Sequence, residues 1–421
     1  MRYSIKAGPN INITEFTQDL HKCGAEEICK APRLGISFVN MSPENVDILR
    51  SKGYKVQPAK RTGSTQTRDI IPPPFPPSIG MYYPDQVAEA VGIKYLERLS
   101  SPPLLGSGVN VALLDTGVRR SHSMLLNRVV HEWSAPGFGY GDDFDHGTGV
   151  ASIIASVAER VNIISCKVLD ENGDGTEIET LLALDYLLGL FQDNDPFAPD
   201  IINMSIGTED TPDYDEEDLM REAVNQLADE GIWIVGSIGN SGPGPETAMS
   251  PASARGAIGV GSCALDTFVV SQFSSRGPTS SGLIKPDCLM VGENVIVASS
   301  LSDDATVAKS GTSVSAPFVS GILALINEYY ARELEDYPET AEQLTYKDIL
   351  EDLLPLICVK PSGVTPGKDN SYGYGVLYPG SFSTETEEVV ISGIADLMYP
   401  MVGFVMMGMI MPMMMKEINR G

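Results

Sequence analysis

Basic residues are scarce in this chain: 29 Lys and Arg stand against 56 Asp and Glu in 421 residues, a net charge of −27. Nucleic-acid phosphates are repelled by such a surface, which argues against nucleic acid as a partner. The balance suits a cationic substrate or a salty medium and singles out neither. Cysteine is also thin, with six residues (Cys23, Cys29, Cys166, Cys263, Cys288 and Cys358) spread along the chain. A chain this long needs no disulfide scaffold. His21, Cys23 and Cys29 lie close together, but no second ligand pair at zinc-like spacing accompanies them. The opening "MRYSIKAGPN" lacks a basic region followed by an apolar one, so no secretory signal is read there. That points to an intracellular protein, or to one held at a membrane by its C-terminal segment. No internal repeat is visible.

What is present supports a sizeable core, since 43% of residues are hydrophobic, and the length suits two or three units. Residues 1–65 read as a small α+β unit. In it "MRYSIKAG" and "YKVQPAK" are strands, "ITEFTQDLHKCG" is a helix, "APRLGISFVNM" is a strand, and "SPENVDILRSKG" is a helix capped by Ser42 and Pro43. A Pro-rich linker follows over 66–80. From 81 to 380, strands apolar at nearly every position ("VNVALLD", "VNIISCKVL", "DIINMSIG", "IWIVGSIG") alternate with helices. That pattern predicts an α/β unit with a mostly parallel sheet covered on both faces. Cys166, inside one such strand, is read as a small core residue. Ligands of such sheets bind at the carboxyl ends of the strands. The tail, 381–421, is acidic and then Met-rich. Its residues 397–415 carry no charge, a length that suits a bilayer span or a flap over a groove on this protein or a partner.

Three stretches carry candidate chemistry. "VALLDTGV" ends a strand at Asp115, "DFDHGTGVASIIAS" places His146 at a helix start, and "SGTSVSAPFVSG" places Ser313 at another. Each alone reads as a turn, a cap or a loop. Asp115-Thr116-Gly117 also matches the aspartic-protease motif, but that chemistry needs a second carboxylate, and no second copy is present. Taken in order, and with "NMSIG" and "GNSG" between them, the stretches resemble the subtilisin-like serine proteases over residues 81–380.

The resemblance implies a serine endopeptidase working through an acyl-enzyme. In it Ser313 is the nucleophile, His146 the base, Asp115 the group that orients the imidazole, and Asn240 the oxyanion donor. Pro317 is placed in the first turn of the serine helix, where its missing N–H costs little. By the same resemblance Ser205, Ile206 and Gly207 face Ser237, Ile238 and Gly239 across the pocket for the residue before the scissile bond. Met249 lies at the pocket base, where a small residue is usual, and narrows it. Residues 1–65 resemble an inhibitory propeptide whose tail lies in the cleft. Cleavage is expected between Ala59 and Ile79, with Lys60–Arg61 favoured; the bland alternative is a permanent accessory domain.

No cofactor is implied. "DENGDG" at Asp170–Gly175 starts like a calcium loop, but Leu181 stands where the bidentate Glu belongs, and it is read as a turn. The family's strong calcium site is expected to be absent. The loop that would interrupt the histidine helix is missing, and no Asp lies two residues after His122. That leaves room only for a weaker site elsewhere. Acids at 170, 171, 174, 177, 179 and 208–218 read as a solvated face, or more sharply as a field favouring Lys or Arg upstream of the cut. Two other functions stay open: a silent scaffold of the same fold, and an acyl-enzyme transferase or amidase.

Overall fold

The computed structural model describes residues 1–8, 13–64, 80–98, 100–208, 218–336 and 344–379. The N-terminal unit comprises β1 (Arg2–Lys6), α1 (Ile13–Lys22), β2 (Glu26–Ala31), β3 (Ile36–Asn40), α2 (Val46–Ser51) and β4 (Lys55–Pro58). Its sheet runs β2-β3-β1-β4, with every pair antiparallel. Successive strand residues face opposite sides, and both sides of this sheet are used. Tyr3, Ile5, Val39 and Val56 close over Phe16, Leu20 and Leu49 of the unit's own helices. Ile36 and Phe38 turn the other way, into the core of the large unit.

Two expectations change here. "APRLGISFVNM" is not one strand: Pro32–Gly35 form a turn, and "EEICKA" before it is an edge strand. Only Ala31 of that strand is fully buried and Cys29 half-buried, so its composition carries little hydrophobic signal. The helix after Ser42 opens with a single 3-10 turn, Pro43–Asn45, and the Ser42 side chain makes no capping bond.

The large unit follows. After β5 (Arg61–Ser64), the tail of the N-terminal unit, it contains α3 (Pro84–Ala90), α4 (Ile93–Glu97), β6 (Asn110–Asp115), β7 (Val129–Ser134), α5 (Gly147–Val157), β8 (Asn162–Lys167), β9 (Asp174–Thr176) and α6 (Glu177–Gln192). Next come β10 (Ile201–Met204), β11 (Ile206–Thr208), α7 (Leu219–Asp229), β12 (Trp233–Ser237), β13 (Ala257–Cys263) and β14 (Cys288–Val291). The last are β15 (Val295–Ala298), β16 (Thr306–Lys309), α8 (Thr312–Asp336), β17 (Cys358–Val359) and β18 (Val376–Leu377).

The main sheet is ordered β17-β18-β14-β13-β12-β10-β6-β8-β7. All neighbours are parallel except β17 and β18. Alternation along β6 splits the core. Val111 and Leu113 join Val150 and Ile153 of α5 and Phe318 and Ile322 of α8. Ala112 and Leu114 join Leu184 and Leu187 of α6 and Val224 and Leu227 of α7. This is the expected double-sided α/β sheet. From β6 the chain proceeds to one side, through β7 and β8, and from β10 to the other, through β12. The crevice beyond the carboxyl ends of β6 and β10 is therefore the natural place for a site.

All six cysteines are free. Cys166 lies in the core between β6 and α6, and burial pushes its thiol well above the ordinary range. The linker beyond 65, the acidic stretch 209–217 and the tail with its 397–415 segment lie outside the described residues. Among the described residues no helix is long and apolar enough to cross a membrane.

Candidate active site

Asp115 is the last residue of β6 and is fully buried. Its Oδ1 accepts from the Thr116 backbone N–H at 2.7 Å and from His146 Nδ1 at 2.6 Å. A carboxylate at that distance holds the proton on Nδ1 and leaves Nε2 as the basic nitrogen. Nε2 is buried and makes no hydrogen bond within the described structure, and Asp115 Oδ2 is in the same position. A buried polar atom without a partner costs about 1–3 kcal/mol. Its retention at this point is what a base awaiting a proton donor requires.

His146 reaches Asp115 because Gly147 follows it. A Cβ on Gly147 would sit 2.2 Å from the Gly117 carbonyl oxygen and 3.1 Å from Asp115 Cβ, so only glycine lets α5 start this close to β6. Asp142 ties the two ends together. Its carboxylate accepts from Thr116 Oγ1 (2.8 Å), from the Asp145 N–H (2.9 Å), and from Thr148 N–H and Oγ1 (2.9 and 2.6 Å). It thus joins the Asp-Thr-Gly turn to the N-terminus of α5, where negative charge is also favoured by the helix dipole. Asp142 was missed by sequence reasoning. The available signal was an acidic residue just upstream of the "HGTG" helix start.

Ser313 is the second residue of α8 and is 1% exposed. Thr312, beside it, donates from N–H and Oγ1 to Asn240 Oδ1 at 3.0 and 3.1 Å, and accepts from the Gly239 N–H at 3.2 Å. With Oδ1 held, Nδ2 is the donating end of the Asn240 amide at the turn that carries Ser313. Asn240 is therefore fixed by contacts with its neighbours and is not a left-handed turn residue, since the positive φ of this turn, 108°, falls on Gly239.

Pro317 requires a correction. It lies inside α8, more than a turn from the start. Its missing N–H is the one that would have reached back four residues to the Ser313 carbonyl. That carbonyl is instead satisfied by Ser205 Oγ at 3.2 Å. A side chain from the β10 end thus replaces the helical bond and anchors the residue that carries the hydroxyl.

The expected pocket residues come together. Ser205, Ile206 and Gly207 leave the end of β10, and Ser237, Ile238 and Gly239 leave the end of β12, its direct neighbour. Met249 donates its N–H to the Ile238 carbonyl at 2.9 Å. Its sulfur lies only 2.6 Å from where a Gly239 Cβ would stand, so the side chain packs against this wall at a spot that glycine alone leaves open.

The opposite side holds the tail of the N-terminal unit. Strand β5 is inserted antiparallel between β11 and β9. Ser64 faces Ile206, Gly63 faces Gly207, and Thr62 faces Thr208 and Gly175. Arg61 faces Thr176 at the far end. The strand therefore runs toward Ser205 and Ser313. The favoured Lys60–Arg61 bond lies at the end of β5 remote from the serine, because Lys60 and Arg61 are engaged elsewhere. Lys60 pairs with Asp218 at 2.8 Å, its carbonyl accepts from the Glu177 N–H at 2.9 Å, and Arg61 pairs with Asp174 at 3.3 Å.

The acids read as one solvated face have separate roles. Glu179 closes a capping box with Thr176 at the start of α6. Asp170 accepts from the N–H groups of Asn172 and Asp174, which makes "DENGDG" the expected turn. Asp218 caps α7. Glu177 is fully buried against Ser4 of β1 and Gln57 of β4. Asp185 accepts from the Arg33 and Leu34 N–H groups of the N-terminal unit.

Fold and site together define a class. It is an α/β protein whose mostly parallel nine-stranded sheet carries, at the carboxyl ends of its strands, an aspartate–histidine couple, with a serine in the first turn of a buried helix. The chain belongs to the Subtilase family, whose sequence pattern matches residues 106–375. It is similar to Serine protease AprX of Bacillus subtilis (strain 168), with 33% identity over 278 residues, 58% of this chain and 62% of that protein. It is similar also to Subtilase-type proteinase RRT12 of Saccharomyces cerevisiae, with 28% identity over 58% of this chain and 52% of that protein. The Major intracellular serine protease of Bacillus subtilis is 28% identical over 66% of this chain and 85% of that protein. The chain spans about half to three fifths of the length of the first two relatives.

Proposed function

We propose that the chain is a serine endopeptidase that cuts protein or peptide substrates through an acyl-enzyme on Ser313. The observation that carries this reading is the buried Asp115–His146 couple, joined at 2.6 Å through Nδ1 so that Nε2 is left as the ring's other nitrogen. Ser313 Oγ attacks the substrate carbonyl and His146 Nε2 takes its proton. Asp115 holds the tautomer and stabilises the imidazolium that forms. The Asn240 amide and the Ser313 N–H would donate to the carbonyl oxygen on which negative charge develops, at the N-terminal end of the α8 dipole. His146 then protonates the leaving amine, and water releases the acyl group. Every proton and electron pair in this sequence is handled by the chain's own side chains and water, so no cofactor is called for.

Residues 1–64 act on this reading as an inhibitory propeptide. The β5 strand fills the cleft as a substrate strand would, with main-chain pairing on both sides. Its direction sets self-cleavage beyond Ser64, on the side of Ser205, rather than at Lys60–Arg61. Met249 narrows the first pocket, so alanine before the scissile bond is cleaved faster than phenylalanine. A strong preference for phenylalanine in paired peptides would contradict that.

The direct test is covalent labelling. After self-processing, a fluorophosphonate reagent should modify the wild-type protein on the peptide containing Ser313 and leave His146→Ala unmodified. Labelling at another residue, or equal labelling of both proteins, would refute the mechanism.

A further inference from the structure

The cleft of this protein is occupied by its own chain, and that occupant shows what the cleft selects. Strand β5 follows the path of a bound peptide, and the two residues at its upstream end are both basic and both paired. Lys60 reaches Asp218, whose side chain is only 6% exposed, at 2.8 Å. Asp218 is fixed by accepting from the Met220 and Arg221 N–H groups at 2.9 and 3.2 Å. Arg61 reaches Asp174 at 3.3 Å, across the β5–β9 pairing. The Lys60 carbonyl is held by the Glu177 N–H, so its backbone is in register when its ammonium meets the carboxylate.

From this we infer that Asp218 and Asp174 are specificity-determining residues. They select substrates with basic side chains three and four residues upstream of the residue that faces Ile206. This inference rests on the endopeptidase reading and names its substrate class. The two contacts are unequal. A fixed, mostly buried carboxylate supports a charge-assisted bond that solvent screens little. The Arg61 side chain is 65% exposed, and an exposed pair contributes little. Asp218 therefore carries most of the selection. Net charge of −27 adds a field that draws cationic peptides inward at low salt.

The test uses the self-processed enzyme and two peptides. One reproduces residues 57–70 of this chain, and the other carries Lys60→Ala and Arg61→Ala. We expect kcat/KM about tenfold higher for the native peptide, with a ratio that changes little as salt rises, because the Lys60–Asp218 pair is screened little. Asp218→Asn, which keeps an α7 cap because asparagine caps as well as aspartate, should reduce the ratio to about threefold or less. Should that variant fail to fold, peptides carrying Lys60→Ala or Arg61→Ala alone read the same selection on the wild type, the first expected to lose most of the tenfold and the second little of it. Equal cleavage of both peptides would overturn the inference and leave the endopeptidase reading intact. Cleavage of neither peptide would overturn both.

Discussion

Single residues carry the chemistry, and the sharpest expectations concern them. Asp115→Asn removes the acceptor charge that fixes the His146 tautomer while keeping its shape. Turnover should fall on the order of 10^4-fold with little change in stability. Asn240→Ala removes an oxyanion donor without touching the base. It should lower kcat by about 10^2- to 10^3-fold and leave KM nearly constant, which steady-state kinetics on one peptide can check. Gly147→Ala should act through packing, because its methyl would overlap the Gly117 carbonyl. We expect about 1–3 kcal/mol of destabilisation in urea titration together with loss of activity. A variant as stable and active as wild type would show that the close approach of α5 to β6 is not needed.

These residues differ in how far the sequence revealed them. Asp115, His146, Asn240 and Ser313, the residues proposed for the chemistry, each sit in a short local motif, which is what carried the resemblance. Asp142 was not readable, because its value lies in bridging a turn and a helix start that only the fold brings together. The pairing of Ser205 with the carbonyl exposed by Pro317 was also invisible. The missing donor can be read from a proline, but the side chain that replaces it lies 108 positions away.

Among elements, the instructive contact is that between the N-terminal unit and the start of α6. Burial pushes the Glu177 carboxyl up to about 7, and nearby Asp218 adds to the rise. Hydrogen bonds from Ser4 and Gln57 and the charge of Lys60 pull it back only in part. Once β1 and β4 leave, Glu177 faces water, where a carboxyl titrates near 4.3. The docked state therefore holds a proton that the separated state has lost. Docking is strong at low pH and weakens as pH rises from about 4.3 through 7. We expect the cleaved N-terminal fragment to bind at least tenfold more weakly at pH 8 than at pH 5, with Glu177→Gln flattening the profile. Size-exclusion chromatography of the processed protein across this range reads it directly. Tighter association at pH 8 would contradict the account.

Elements also show why sequence reading succeeded unevenly. The buried strands β6, β8, β10 and β12 and the helices α5, α6 and α8 declared themselves by apolar runs long enough to decide their type. Strand β2 did not, since an edge strand with only Ala31 buried has little apolar pattern to show. Strand β5 is polar and short, and becomes a strand because β11 and β9 supply partners on both sides. No local propensity encodes that.

In the whole molecule, two units join through complementary charge and a shared core. Lys6 and Lys55 pair with Glu222, Lys60 with Asp218 and Arg33 with Asp193. Ile36 and Phe38 of β3 enter the core beside α6 and α7. The surface between the two units was not legible in the sequence. Of the acids read as a solvated face, Asp170, Asp174, Glu177, Glu179 and Asp218 serve as caps, turns and partners of the N-terminal unit, because charge alone does not say what covers it.

The central claim is that Ser313, activated by His146, cuts the chain that lies in its own cleft. The measurement closest to it is the intact mass of purified wild type beside Ser313→Ala. Wild type should release an N-terminal fragment of roughly 7 kDa, scaled from 45.2 kDa for 421 residues, ending just beyond Ser64, while Ser313→Ala stays whole. Identical cleavage of both proteins, or a wild type that never divides, would contradict it.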